Sequence, residues 1–154
     1  MVSKKRFGQL KFIASIFNLS LTEIKETLGP ETLTMIFRRV GETSGENIAK
    51  RLKGKFGSVE EFCNLIVTNV MDPVLGESKC VAKVQGNNIT FELLACPYKK
   101  AGGFPIKEMS FFCHYTEGLL DIALKTAFPD KNFETNPKEL KSEGSEKCVF
   151  EITM

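Results

Sequence analysis

The segment FFCHYTEGLLDIALKTAF, residues 111 to 128, places the chain's single histidine, His114, directly after one of its five cysteines, Cys113. Thiolate and imidazole are preferred zinc ligands, and the same two groups can serve as a nucleophile and its base. Either chemistry needs the side chains to converge. On a helical wheel Met109, Phe112, Cys113, Thr116, Leu120, Ala123, Leu124 and Ala127 form one apolar face, and Ser110, His114, Glu117, Asp121 and Lys125 form a polar stripe. Adjacent helical residues point about 100° apart, so Cys113 faces a core while His114 faces outward, toward Glu117. The pair does not grip one ion, and histidine-dependent triads lose their only candidate.

Cys113 has to find partners elsewhere. Cys96 closes a strand-like run at LLACP, and Cys148 opens another at EKCVF. Element ends are where side chains from different elements meet. We therefore expect Cys96, Cys113 and Cys148 to lie together, as zinc ligands or as a redox-labile thiol group, with Cys63 and Cys80 apart from them. The competing reading is that each cysteine is a small buried hydrophobe, since no CxxC spacing is present.

The elements that must position these residues follow from periodicity. The first half reads as helical. Phe7, Leu10, Ala14 and Phe17 recur at helical spacing, and SLTEIKETLGP carries a capping-box spacing from Ser20 to Glu23 with a stop at Gly29-Pro30. Beyond Glu31 one helix face carries Leu33, Ile36, Phe37, Val40, Ile48 and Leu52, with Gly41, Ser44, Gly45 and Ala49 on or beside it. Small residues there let another backbone come close. A second capping box, Ser58 to Glu61, opens a helix with the stripe Val59, Phe62, Cys63, Ile66 and Val70, ending near MDP.

Near Lys79 the period changes to two. KCVAKVQGNNITFELLACP predicts a hairpin turning at Gly86-Asn87-Asn88, with Cys80, Ala82 and Val84 on one strand face and Ile89, Phe91, Leu93 and Ala95 on the other strand's. YKKAGGFP is a connection, a long helix follows from about Lys107 to Phe128, and KNFET and KCVFEITM are two further strands around the polar turn PKELKSEGSE. The fold class is α+β: N-terminal helices, a small antiparallel sheet with a hairpin, a long central helix and C-terminal strands. We read residues 1–154 as a single domain with a helical extension over 1–27.

Composition narrows the function. Twenty-one Lys and Arg against 19 Asp and Glu leave a net charge of +2, which gives no nucleic-acid footprint. Thirteen Phe and no Trp favour apolar contacts over hydrogen-bonded recognition. The basic residues before the first apolar stretch mimic a secretory signal, but Gln9, Lys11 and Asn18 interrupt it. No apolar run reaches a membrane span of about 20 residues, so the expectation is a cytoplasmic protein whose odd number of cysteines serves as thiols or metal ligands. No GxGxxG or GxxxxGK is present, and nucleotide binding has no support.

Two stretches carry a resemblance. CHYTEGLLDIALKTAF followed by ELKSEGSEKCVFEI resembles the closing motif of the 4-vinyl-reductase-like, or hydrocarbon-binding, domain family, in which a cysteine and a glycine-containing helix precede a turn of the form CRAxGxxxCxFE. LGPETLTMIFRRVGETSGENIAKRL is similar to that family's glycine-paired helix. The resemblance covers most of the chain from about Leu28. It implies an α+β fold related to vesicle-tethering subunits of the Golgi, a homodimer, an apolar ligand pocket, and a zinc held by cysteines and an acidic residue. Cys113 and Cys148 match the outer cysteines of that zinc motif. Leu140 stands at its middle cysteine and Pro137 near its acidic ligand, so a zinc site would need Cys96 as a substitute.

Three readings of function remain. The first is a module that binds a small apolar, aromatic or lipid-like molecule between helices, with Phe37, Val40, Phe62, Ile66, Phe112 and Leu120 as walls and Tyr115 or Thr116 as polar contact; the bland counterpart is that these side chains fill one another's space. The second is a dimeric interaction scaffold, supported by the small-residue face at Gly41 and Gly45. The third is an enzyme, a reductase by the family's name, for which no redox-cofactor motif and no base beside a cysteine are visible.

Overall fold

The computed structural model describes residues 4–97 and 110–154. The proposed connection at 98–105 and the first turn of the long helix at 107–109 lie outside the described residues. In chain order the elements are α1 (Lys4–Leu28), α2 (Pro30–Leu52), α3 (Val59–Ile66), a π-helical turn (Val67–Met71), α4 (Asp72–Leu75), β1 (Cys80–Gln85), β2 (Asn88–Leu93), α5 (Phe111–Ala127), β3 (Glu134–Glu139), a 3-10 turn (Lys141–Glu143) and β4 (Cys148–Thr153). The strands form one antiparallel sheet in the order β1-β2-β4-β3. The α+β class and the order of its parts are as the periodicity predicts.

Two expected N-caps meet different outcomes. Ser58 caps α3, its hydroxyl accepting the Glu61 N–H at 3.1 Å, while Glu61 reaches back to the Gly57 N–H at 2.6 Å. Ser20 caps nothing, because α1 runs through it unbroken to Leu28. The chain breaks at Gly29 instead, whose φ of +84° suits glycine and is followed by Pro30 at the first helical position. The residues read as an extension are also partly structural. Leu21 is buried with Leu33, Phe111 and Phe112 in a satellite cluster that Ile24 and Phe37 flank.

The hairpin closes in two residues, with Gln85 already paired to Asn88 and Gly86 at φ +60°. Glycine first is the requirement of a type II′ turn. The register aligns Cys80 with Leu93, Ala82 with Phe91 and Val84 with Ile89, and then Leu93 with Cys148, Phe91 with Phe150 and Ile89 with Ile152. One sheet face is thus apolar, and it packs with α2, α3 and α5 into the main core. β3 begins and ends later than KNFET suggests, taking Pro137, Lys138 and Glu139 out of the anticipated turn. Proline is tolerated there because β3 is an edge strand, irregular between Pro137 and Glu139. Among the described residues no helix is long and apolar enough to cross a membrane.

Candidate ligand cavity and thiol pair

α2 and α5 run side by side in the same direction, since Gly41 meets Tyr115 and Gly45 meets Leu119. A Cβ on Gly41 would collide with the Tyr115 carbonyl, one on Gly45 with the Leu119 carbonyl and the Ala123 N–H, and one on Gly118 with the Arg38 carbonyl, each closer than 3.0 Å. The small-residue face offered for dimer contact is therefore consumed within the chain. It packs α2 against α5.

The same seam revises the polar stripe of α5. Glu117 and Asp121 are buried, because the glycine contacts bring α2 over them and Arg38 reaches across. Arg38 pairs with Glu117, lies 3.6 Å from Asp121 and hydrogen-bonds Glu42 at 3.2 Å. Asp121 also accepts from Thr135 of β3 at 3.2 Å and from Lys125 at 2.9 Å. His114, half-buried, contacts Glu117 at 2.7 Å, the partner anticipated for it. Buried charges of this kind need partners on several sides, and here α2, α5 and β3 supply them. Arg38 was not singled out from sequence. A lone arginine on an otherwise mixed helix face carries no periodic signal.

A cavity of about 300 Å³ opens between the π-helical turn, α4, the end of β2 and α5. Val70, Met71, Val74, Leu75, Leu93 and Leu119 give it apolar walls, and Tyr115 and Thr116 bring hydroxyls. The π turn shapes it. In a regular helix the stripe of Ile66 continues to Val70, but here the N–H of Asp72 bonds five residues back to Val67, and the buried position passes to Met71. Thr68 and Asn69 side chains satisfy the carbonyls of Asn64 and Leu65 at 3.0 Å each. Pro73, which has no N–H, follows at once.

Of the wall residues named from sequence, Tyr115 and Thr116 line this cavity. Phe62, Ile66 and Leu120 are fully buried in the main core, Phe112 and Phe37 stack on Phe111 in the satellite cluster, and Val40 is 50% exposed. Those six side chains fill one another's space or face outward.

The cysteines divide. Cys63, Cys80 and Cys148 are buried in the main core and Cys96 and Cys113 are half-buried; the Cys63 and Cys80 thiols are pushed up to about 12, chiefly by burial. Cys113, on α5, faces Cys148, the first residue of β4. The Cys113 thiol is the main cause of a Cys148 pKa lowered to about 7, which the Lys141 backbone N–H, 3.3 Å from the sulfur, reinforces against burial. Cys113 keeps its proton and is shifted upward, first by this bond and then by burial. The Ser142 hydroxyl lies 3.2 Å from the Cys113 sulfur. Cys96, half-buried, also raises the Cys113 thiol by its electrostatic influence. Among the described residues no set of three or more His, Cys, Asp and Glu side chains could hold a metal ion. Leu140 is in the core and Pro137 pairs with Phe150, so neither position offers a donor. The donor set does not fit the zinc centre that the resemblance implies.

No family model and no curated protein matches the sequence. The fold is matched. The chain is similar to trafficking protein particle complex subunit 3 from Naegleria fowleri, covalently bound to palmitic acid, with a TM-score of 0.66 over 96% of this chain and 95% of that one at 11% identity. It is similar to the phenol-responsive sensory domain of the transcription activator PoxR, solved with phenol, with a TM-score of 0.56 over 85% of this chain and 69% of that one at 16% identity. A vinyl-4-reductase family protein from Methanocaldococcus jannaschii aligns over 99% of this chain and 82% of that one, at 20% identity and a TM-score of 0.42. The chain thus shares its fold with a trafficking protein particle complex subunit and with a phenol-responsive sensory domain, and the expected relation to vesicle-tethering subunits holds at the level of fold.

Proposed function

We propose that the chain is a binding domain for a small apolar molecule, seated in the cavity between the π-helical turn and α5. The observation that carries this reading is the cavity itself: about 300 Å³, apolar walls, and the two hydroxyl-bearing side chains Tyr115 and Thr116. Ligand sites combine apolar walls with a few polar groups and span roughly 300–1,000 Å³. This one is at the small end, which favours a single aromatic ring over a long acyl chain. Two proteins of the same fold were solved with phenol and with palmitic acid, which supports the ligand class. The test is thermal melting with phenol and with palmitate. A ligand at 100 times its Kd adds about 2.7 kcal/mol, a shift of roughly 5–11 °C at this size. The shift should vanish in Met71→Trp, whose ring fills the cavity. No shift with either probe in the parent protein would refute the reading.

A second copy as partner is favoured by α1. Phe7, Leu10, Phe12, Ile13, Ile16, Phe17 and Leu19 are each 48–68% exposed there. At about 100 Å² per side chain they offer roughly 700 Å², close to the ~800 Å² per partner of a standard interface. With Gly41 and Gly45 spent inside the chain, α1 is the surface we propose for contact with a second copy. Light scattering should give twice the chain mass, and Phe12→Glu with Ile16→Glu should return it to one. A monomer at micromolar concentration would end the reading.

A further inference from the structure

We propose that Cys113 and Cys148 are a redox-active dithiol, which hydrogen peroxide closes into a disulfide between α5 and β4. The geometry assigns the roles. Lys141 and Ser142, consecutive in the 3-10 turn, hold the two sulfurs at one place: Cys148 accepts the Lys141 N–H at 3.3 Å, a contact that favours the thiolate, so Cys148 is the attacking sulfur. Cys113, half-buried with the Ser142 hydroxyl at 3.2 Å, is the resolving thiol. Both sit at a fixed junction: Cys148 is locked opposite Leu93 in the sheet, and Cys113 lies in the first turn of α5. Cys63 and Cys80 are buried in the same core as Cys148, but burial pushes their thiols up to about 12, and they serve as internal controls.

The chemistry balances. The Cys148 sulfur attacks one peroxide oxygen, the O–O bond breaks, and the departing hydroxide takes a proton to become water. This leaves a sulfenic acid on Cys148. The Cys113 sulfur then attacks the Cys148 sulfur, the S–O bond breaks, and a second water leaves as the S–S bond forms. Two electrons pass from the two sulfurs to one peroxide.

The experiment treats the reduced, full-length protein with hydrogen peroxide, removes the peroxide, unfolds the chain in denaturant, alkylates the remaining thiols and maps peptides by mass spectrometry. The expected result is a fall from five alkylatable thiols to three, with one bridged peptide joining Cys113 to Cys148. In Cys113→Ser, dimedone should trap a sulfenic acid at Cys148; in Cys148→Ser, no bridge should form and Cys113 should remain a thiol. A bridge through Cys96, thiol loss shared with Cys63 and Cys80, or no oxidation at a dose that oxidises an unstructured cysteine peptide in the same tube would each overturn the proposal. The peptide map of the parent protein decides the matter even where a serine variant fails to fold.

Discussion

Replacing Gly45 by alanine adds one methyl group at a point of backbone contact in the α2–α5 seam. That methyl would collide with the Leu119 carbonyl oxygen and lie 2.9 Å from the Ala123 nitrogen. Both neighbours are backbone, so no side chain can swing aside, and the helices must move apart. Overpacking costs typically about 1–3 kcal/mol, and a backbone-on-backbone clash belongs at the upper end. Alanine returns about 1 kcal/mol of helix propensity. The net is a loss of about 2 kcal/mol, or roughly 4–8 °C in Tm for a chain of this size. Gly8→Ala is the matched control, since it lies within α1 with nothing within 4 Å of its added Cβ, and it should leave Tm unchanged or raised. Circular dichroism melts over a tenfold range of protein concentration read both variants. A Gly45→Ala protein as stable as Gly8→Ala would refute the close approach, and a loss that appears only on dilution would return Gly45 to a subunit interface.

Arg38→Ala should destabilise by about 3 kcal/mol in urea titrations, the low end for breaking a buried pair because Arg38 is itself 37% exposed; an unchanged midpoint would contradict the pairing. Iodoacetamide should alkylate Cys148 with a rate that rises through pH 7, since its pKa is lowered to about 7, whereas Cys63 and Cys80, pushed up to about 12, should resist in the folded state. Linkage gives the stability profile a matching shape. Cys148 ionises in the fold before it does in the unfolded chain, so stability rises from about pH 7 to pH 9, while Cys63, Cys80 and Cys113, all shifted upward, make it fall above pH 9. Stability that declines steadily between pH 7 and 9 would contradict the thiol assignment.

The fold was legible where a repeat of two or 3.6 residues ran long enough to register. The hairpin, α2, α3 and most of α5 follow from apolar spacing, and Gly29-Pro30 marks a true break. Ser20 misled because a capping-box spacing is three residues long and means nothing inside a helix that tertiary contacts continue, here through Leu21 and Ile24 in the satellite cluster. The cavity was half legible. Tyr115 and Thr116 were found, but the facing wall depends on the π turn, which inserts one residue into the helical repeat and moves burial from Val70 to Met71. Only the nearby Pro73 hints at it. Glu117 and Asp121 read as solvent-facing because a wheel shows which residues share a face, not what covers it.

That covering joins the glycines to the charges. Gly41, Gly45 and Gly118 bring two parallel helices to backbone contact, and at that distance Glu117 and Asp121 of the polar stripe are covered by α2. Arg38 is placed by the contact that buries the carboxylates, since its own carbonyl is what a side chain on Gly118 would strike. The seam therefore fixes the axial position of α5 by steric fit and by charge together. Both features of the candidate site hang from that helix: Thr116 and Leu119 line the cavity, and Cys113 stands one turn before Thr116. Leu93 closes the circuit, lining the cavity while paired across the sheet with Cys148. A shift of α5 along its axis would disturb the cavity wall and the thiol pair at once, so the seam supports the proposed site as well as the fold.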